Sequence, residues 1–472
     1  MKNTKQSIID KLISTKEDLD GISPSFCTAK WLQHTLYLQN GMNHSCHHPP
    51  THKIPLSEIA ADPSALHNTK HKKAEQAQML RGERPSGCDY CWRVEDMDNE
   101  HFSDRVYKSS ANWAKPYVFD VLGAGDGNIN PTYLEISFSN VCNLKCAYCS
   151  PDLSSKWYEE IKQHGAYPTS TNYNGFDVIE SMGKMPIPNK DDNPYVDAFW
   201  KWWPDLYPDL HTLRLTGGEP LMSKDCWNVL ENICKDPRED LVLSINTNLD
   251  VPDAMIDRLI ELLLDFGPHL REVQIFTSGE ATGSAAEYTR FGLKYDNWIN
   301  NCHKVITALS GKMKIVFPFM TTVSILSAGT FDKFIEQVVE FRRLYINDHM
   351  KQGNMIPMMT NYLRYPNMLA LCNLTTTEKV AVKERLDIVI EKYSIANHNF
   401  DIDNGFIWED EIDQIKRLIE FMNQGDVGDK EQHRIDFVNF VDEYDKRRGT
   451  DFNATFPELN EYYRMIKNEK AE

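Results

Sequence analysis

Apolar residues alternate with polar ones over Leu134, Glu135, Ile136, Ser137 and Phe138, the two-residue period of a strand with one buried face. The signal returns at Leu213 and Leu215 in HTLRLTGGEPLMS, in DLVLSINTNL (240–249) and in REVQIFTSGE (271–280). MKIVFPFMTTVSIL (313–326) and NMIPMMTNYLRY (354–365) read as strands five and six. After strands three and five the period lengthens, and VPDAMIDRLIELLLDF and TFDKFIEQVVEFRRLY place apolar residues at helical spacing. Strands alternating with helices predict an α/β fold, a parallel sheet covered by helices. Right-handed crossovers then leave a barrel or a doubly wound sheet.

Outside this alternation the chain changes character. The expected organisation is a cysteine-rich module at 1–100, a linker at 101–131, a core at 132–375 and a helical extension at 376–472. The linker ends in VLGAGDGNINP, whose glycines and Asn-Pro mark a connector. The extension is expected to cap the core and close over the substrate. A long insertion, 150–210, separates strands one and two and carries YVDAFWKWWPDLYPDL. Trp200, Trp202 and Trp203 either line a site at that end of the sheet or pack a helix, and packing is the preferred reading. A length of 472 residues suits two or three domains, or one large α/β domain with additions.

Lys and Arg total 51 against 69 Asp and Glu, a formal net charge of −18. Such a field repels polyanions, so nucleic acid is disfavoured as a partner. The basic stretch HKIPLSEIAADPSALHNTKHKK is the one place where the local field could be reversed, and a solvated helix is its commoner meaning. The best apolar run, LIELLLDF (259–266), contains Glu261 and Asp265, so no membrane span is expected. The start, MKNTKQSIIDKLISTKEDLD, lacks the apolar centre of a signal peptide. A reducing, cytoplasmic location follows as an expectation, and eleven cysteines there point to metal or cluster chemistry rather than disulfides.

Cys226, Cys234, Cys302 and Cys372 are scattered and read as small buried hydrophobes. Cys142, Cys146 and Cys149 follow strand one in C-x3-C-x2-C spacing. Three thiolates so placed can hold three irons of a [4Fe–4S] cube and leave the fourth open; zinc completed by a distant histidine is the alternative. Strand two ends in Gly217, Gly218, Glu219 and Pro220, where glycines permit close approach of the backbone to a ligand and a carboxylate suits an ammonium. Polar residues also end strand three (Asn246, Thr247, Asn248) and strand four (Thr277, Ser278), as candidate hydrogen-bonding partners. Chemistry at the C-terminal ends of strands selects a partial barrel.

Cys142-Asn-Leu-Lys-Cys146-Ala-Tyr148-Cys149, with Gly217–Glu219 downstream, resembles the two signature motifs of the radical S-adenosylmethionine (SAM) superfamily. The resemblance implies a partial (β/α)6 TIM-type barrel and a [4Fe–4S] cluster whose open iron chelates the amino and carboxylate groups of SAM. It implies that Glu219 and neighbouring backbone hold the methionine amino group, and that Tyr148 lies against the adenine. Arg290 resembles an arginine that meets the SAM carboxylate, with a solvated helix arginine as the other reading. The family's Ser–hydrophobe–Asp–Gly pattern at strand four is here Phe276, Thr277, Ser278, Gly279, a departure at the ribose contact. The implied reaction is reductive cleavage of SAM to a 5′-deoxyadenosyl radical that takes hydrogen from a substrate, with flavodoxin or ferredoxin as electron donor. No catalytic residue is assigned. A non-catalytic iron–sulfur or zinc protein is the competing class, and the intact triplet and Glu219 speak against it.

The run from Phe26 to Glu95 contains FCTAKW, a glycine before Cys46, MLRGERP and a closing Cys88-x2-Cys91. It resembles the SPASM and twitch auxiliary-cluster modules of peptide-modifying members of that superfamily, although it precedes the barrel instead of following it. Cys27, Cys46, Cys88 and Cys91 supply four thiolates, enough for a second [4Fe–4S] cluster or for zinc, and their spacing does not choose. His34, His44, His47, His48, His52, His67 and His71 lie in the same hundred residues, and His101 just beyond. His44, His47, His48 and His52 bracket Cys46, which makes a histidine ligand a further option beside a plain polar loop. The module's resemblance favours a peptide or amino-acid-like substrate; a small metabolite or nucleotide is the alternative.

Overall fold

A computed structural model describes residues 2–97, 101–345, 355–395 and 405–469. Asn354, expected to open strand six, and the boundary residues 1, 100 and 472 lie outside the described residues. Among these, strands run at β1 (Gln33–Tyr37), β2 (Met42–His44), β3 (His52–Lys53), β4 (Tyr133–Ser137), β5 (Lys145–Cys146) and β6 (Thr212–Thr216). They continue at β7 (Val242–Thr247), β8 (Glu272–Ser278), β9 (Arg290–Phe291), β10 (Ile315–Val316), β11 (Phe319–Met320) and β12 (Met358–Met359). The architecture is mixed α/β with parallel strand pairing, as the alternation of periods requires.

The chain divides into two compact units. One comprises Met1–Ser139, Pro186–Gly217 and Asp240–Leu243, and the other Asn140–Met185, Gly218–Glu239 and Ser244–Glu472. Boundaries at 100, 131 and 375 do not coincide with these units. Nor is 101–131 a plain connector, because Asp104–Ser109 and Val118–Ala124 are helical.

In the first unit the strand order is β3-β2-β1-β4-β6. Asn40-Gly41, a strong hairpin signal, turns β1 back into antiparallel β2. On its other edge β1 pairs in parallel with β4, Gln33 opposite Tyr133 and Tyr37 opposite Ser137, and β4 pairs in parallel with β6. The cysteine-rich segment therefore shares a sheet with the first core strand. Leu19, Phe26, Trp31, Leu32, Met79, Trp92 and Val121 form its apolar core, with Cys88 and Cys91 inside. Trp202 and Trp203 are buried in helix Pro194–Leu206, Trp202 donating to Asn130 at 3.0 Å and Trp203 stacking on Tyr207, which is the packing outcome. The basic run is less solvated than its composition suggests, since Lys72 and His67 are buried.

In the second unit β8 pairs in parallel with β10 and β11, and β11 with β12. Strand five is broken into β10 and β11 at Phe317-Pro318, because proline cannot donate to the ladder. The remainder of that run, expected as strand to 326, turns into helix Ile325–Ala328. Strand six shrinks to β12, flanked by isolated bridges at Met355 and Tyr362. Helix Asp253–Phe266 buries Ile256, Leu259, Ile260, Leu263 and Phe266, one face at the spacing its sequence displays. The C-terminal helices are tied on by Arg342, whose side chain is 1% exposed and pairs with Glu411 at 2.5 Å.

Candidate functional site

Cys142, Cys146 and Cys149 sit in a loop of the second unit whose carbonyls are capped by side chains. Ser155 donates to the Cys142 carbonyl at 3.3 Å and Ser154 to that of Leu144 at 2.7 Å. Arg448 Nη1 donates to the Lys145 carbonyl at 2.7 Å, and Trp157 Nε1 to the Cys146 carbonyl at 2.8 Å. Tyr173 reaches the Ala147 and Cys149 carbonyls at 3.2 and 2.9 Å, and Asn174 joins it on Cys149 at 2.8 Å. Ser154 is also the N-cap of helix Ser155–His164, accepting from the Trp157 amide, so the local helix start and the loop support are one piece of chemistry. Buried polar backbone is satisfied by such partners, which fix where the sulfurs point.

The thiols are poor acids in this setting. Burial pushes Cys142 up to about 12, the neighbouring Cys146 adding to the effect. Burial raises Cys149 well above the usual thiol range, and both other cysteines raise it further. Loss of these protons is therefore coupled to binding a cation.

The antiparallel β5–β9 pair sets Cys146 opposite Arg290. Arg290 is buried, pairs with Glu280 at 2.5 Å and places Nη1 3.9 Å from the Cys146 sulfur. Its Nε is buried without a hydrogen-bond partner among the described residues. The solvated-helix reading of Arg290 is thereby excluded. Tyr148 donates to Glu280 at 3.0 Å and carries the Arg290 guanidinium 5.7 Å from its ring centroid. Glu280, two residues past the end of β8, was not singled out from the sequence; its burial at a polar strand end is the signal that identifies it.

Glu219 is 1% exposed. Its Oε1 accepts from the Leu221 amide at 3.0 Å and Thr247 at 2.8 Å, and its Oε2 from the Asn248 amide at 2.7 Å. Burial pushes its carboxyl up to about 7 against those three donors. Thr247 and Asn248 thus serve Glu219, and Asn248 also donates to Asn143 at 2.8 Å in the cysteine loop. Gly218 leaves no room for a side chain, since a Cβ would stand 2.3 Å from the Val141 carbonyl oxygen. Close approach at this glycine is to the start of the cysteine loop, not only to a ligand as the motif suggests. Gly217, in the first unit, has a φ of 127° and would set a Cβ 2.8 Å from Ser137 Oγ.

Other expected contacts divide. Asn246 points its amide toward the Met320 sulfur at 4.0 Å. Thr277 is buried and accepts from Trp298 at 2.8 Å. Ser278 ends β8, half-buried. Of the scattered cysteines, Cys226, Cys302 and Cys372 are buried, whereas Cys234 is partly exposed and lies 3.2 Å from Asp265.

In the first unit Cys27, Cys46, Cys88 and Cys91 line one cavity with Lys30, His48, Trp92, Asp104 and Arg105. Lys30 Nζ is 4.0 Å from the Cys88 sulfur and pairs with Glu75. Burial pushes Cys88 and Cys91 each up to about 12. The histidines that bracket Cys46 are engaged elsewhere: His44 with the Cys46 carbonyl, His48 with Asp104 at 2.7 Å and His52 with Thr69 at 3.1 Å. Among the described residues, the one set of three ligand atoms mutually within 4.8 Å is His47, His48 and Asp104. Lys108 lies 3.0 Å from His47 Nδ1 and 3.7 Å from Asp104, so this set reads as an ion-pair network. No three sulfurs of either cysteine set are that close, whereas tetrahedral zinc with bonds of ≈ 2.3 Å brings its sulfurs to ~3.8 Å.

No protein-family model matches the chain. Among curated proteins, the GTP 3′,8-cyclase of Nautilia profundicola is 22% identical over 281 residues, 58% of this chain and 71% of the relative. That of Campylobacter lari is 22% identical over 262 residues, 56% of this chain and 63% of the relative. Among solved structures, Streptococcus suis SuiB bound to S-adenosylmethionine matches at 15% identity over 62% of each chain, with a TM-score of 0.30.

Proposed function

We propose, for a chain that is a radical SAM superfamily enzyme related to those two cyclases, that Cys142, Cys146 and Cys149 hold a [4Fe–4S] cluster and present its open iron to SAM. When bound, this cofactor pair supplies the electron transfer and the 5′-deoxyadenosyl radical that abstracts substrate hydrogen. The single observation that carries the assignment is the loop around the triplet, capped at nearly every carbonyl and flanked by a buried guanidinium with a spare donor. The residues fit the group. Three cysteines carried on one capped loop suit separate corners of a cube. Arg290, whose Nε has no partner among the described residues, is the proposed donor to the SAM carboxylate, and its pairing with Glu280 supports that role. Glu219 and the backbone beside it offer acceptors for the methionine amino group, and Tyr148 offers a ring to the adenine. Asn246 and Ser278 remain as ribose or substrate contacts.

The same reading takes the parallel strands as a partial (β/α)6 barrel and Cys27, Cys46, Cys88 and Cys91 as ligands of a second [4Fe–4S] cluster. Four thiolates lining one cavity are enough to ligate every iron of such a cluster. The substrate proposed is a peptide or amino-acid-like molecule, on the likeness of Phe26–Glu95 to auxiliary-cluster modules. A nucleotide is the second reading, favoured by two relatives named for a reaction of GTP. Flavodoxin or ferredoxin in a reducing cytoplasm would supply electrons, and no helix among the described residues is long and apolar enough to cross a membrane.

Anaerobic reconstitution tests this directly. The wild type should bind about eight irons per chain, four for each cluster, and form 5′-deoxyadenosine from SAM with dithionite. No 5′-deoxyadenosine above the Cys146→Ala background would refute the catalytic assignment, and about four irons with one zinc would refute the second cluster.

A further inference from the structure

The C-terminal extension reaches the loop that carries the cysteine triplet. Helix Lys430–Arg448 ends in Lys446, Arg447 and Arg448, and Gly449 closes it in the left-handed region at φ 66°. Basic residues in a last turn followed by such a glycine are ordinary helix-ending chemistry. Arg448 goes further, because its side chain is 0% exposed. Nη1 donates to the Lys145 carbonyl at 2.7 Å, and Nε and Nη2 fork onto the two oxygens of Glu160 at 3.1 Å each. The guanidinium lies 3.8 Å from the Tyr444 ring centroid and 4.6 Å from that of Trp157, the residue that caps the Cys146 carbonyl. Glu160 also takes Lys145 Nζ at 2.5 Å and the Tyr167 hydroxyl at 2.7 Å.

The same helix end grips the partner strand. Tyr444 donates to the Tyr288 carbonyl, and Tyr288 donates back to Asp445 at 2.9 Å, two residues before β9. One helix terminus therefore holds β5 and the helix end that leads into β9, the pair that sets Cys146 against Arg290. A guanidinium taken wholly out of water costs several kcal/mol unless it is fully paired, so a residue serving packing alone would more economically be apolar.

We propose that Arg448 is a positioning residue for the SAM cluster: through the Lys145 carbonyl it fixes the segment between Cys142 and Cys146, and it places beside Cys146 a positive charge that Glu160 partly offsets. The inference rests on the triplet being the ligand set of that cluster. Positive charge near an iron–sulfur centre stabilises the reduced form, and negative charge opposes it. Removing Arg448 and removing the Glu160 charge must then move the potential in opposite directions.

The experiment uses the full chain, anaerobically reconstituted, as wild type, Arg448→Gln, Arg448→Lys and Glu160→Gln. Reductive titration is followed by the electron paramagnetic resonance signal that responds to SAM, which isolates this cluster from any other. At a fixed poise Arg448→Gln should lower the ratio of reduced to oxidised cluster about tenfold, a change equal to 59 mV for one electron. Glu160→Gln should raise that ratio. Arg448→Lys keeps the charge but lacks the planar fork, so its ratio should stay within about twofold of wild type while iron loss to a chelator speeds up about threefold or more. Gln variants that shift together or not at all, or an Arg448→Lys chain that keeps iron as wild type does, would overturn the proposal. If Arg448→Gln does not fold, the Glu160→Gln and Arg448→Lys arms decide alone. A wild type lacking the SAM-responsive signal would instead sink the ligand assignment beneath it, and the two failures are distinguishable.

Discussion

Glu219 has no cationic partner among the described residues; it is held by three neutral donors in a buried site. Replacing it with glutamine removes the charge but keeps the shape. If the amide oxygen takes the place of Oε1, it still accepts from Leu221 and Thr247, and the new NH2 then faces the Asn248 amide donor. That lost hydrogen bond should cost about 1–3 kcal/mol. The wild-type carboxyl has its own cost. Raising it from an ordinary 4.5 to about 7 corresponds to ~3 kcal/mol, at about 1.36 kcal/mol per pH unit. The sign follows from proton linkage: between these two values the folded chain binds more protons than the unfolded one, so stability falls as pH rises and levels off above 7. Glu219→Gln lacks this titration. Denaturant unfolding of both proteins without SAM, from pH 5 to 8, should show wild type ahead by about 1–3 kcal/mol at the acid end. That lead should shrink by up to ~3 kcal/mol by pH 8. A difference between the two that is flat in pH would refute burial as the dominant influence on Glu219.

Gly218→Ala places a methyl 2.3 Å from the Val141 oxygen and 2.8 Å from that of Asn140, so backbone must move. A loss of about 1–3 kcal/mol by thermal unfolding is expected, with iron lost from the triplet before the rest of the chain unfolds. Trp157→Phe keeps the ring packing but deletes one donor to the Cys146 carbonyl and leaves it the Cys149 amide; about 1 kcal/mol and faster chelation of iron should follow. Cys88→Ala should lower bound iron by about four per chain and leave the SAM-responsive resonance signal in place, which iron analysis and spectroscopy check.

The core α/β alternation was legible because Val273, Ile275 and the Ile256–Phe266 stripe bury the faces their periods display. Pro318 and Asn40-Gly41 carried local signals too, one for a broken strand and one for a hairpin. The parallel pairing of β1 with β4 had none, because strand partners a hundred residues apart are chosen by topology and not by local pattern. The site divides along the same line. Cysteine spacing exposed the ligand triplet, whereas Glu280 needed its burial and Arg448 its fold. A Lys-Arg-Arg-Gly run before a loop reads as a helix end wherever it occurs, and only the folded chain brings its last arginine to the Lys145 carbonyl.

The net charge of −18 is a far-field quantity, and it hides the field at the sulfurs. Cations stand beside both cysteine sets: Arg290 and Arg448 at the triplet, Lys30 and Arg105 at the quartet. Each is backed by carboxylate, Glu280, Glu160 and Glu75 for the first three, and Glu95 with Asp20 for Arg105. An unpaired buried cation would cost several kcal/mol before any metal arrived, and an unpaired set of thiolates would cost as much without the cations. Pairing resolves both. The cation–carboxylate pairs are close to neutral, yet Arg290 and Lys30 turn the positive end of their pairs toward a sulfur. Loading an anionic thiolate centre then meets a field already oriented for it.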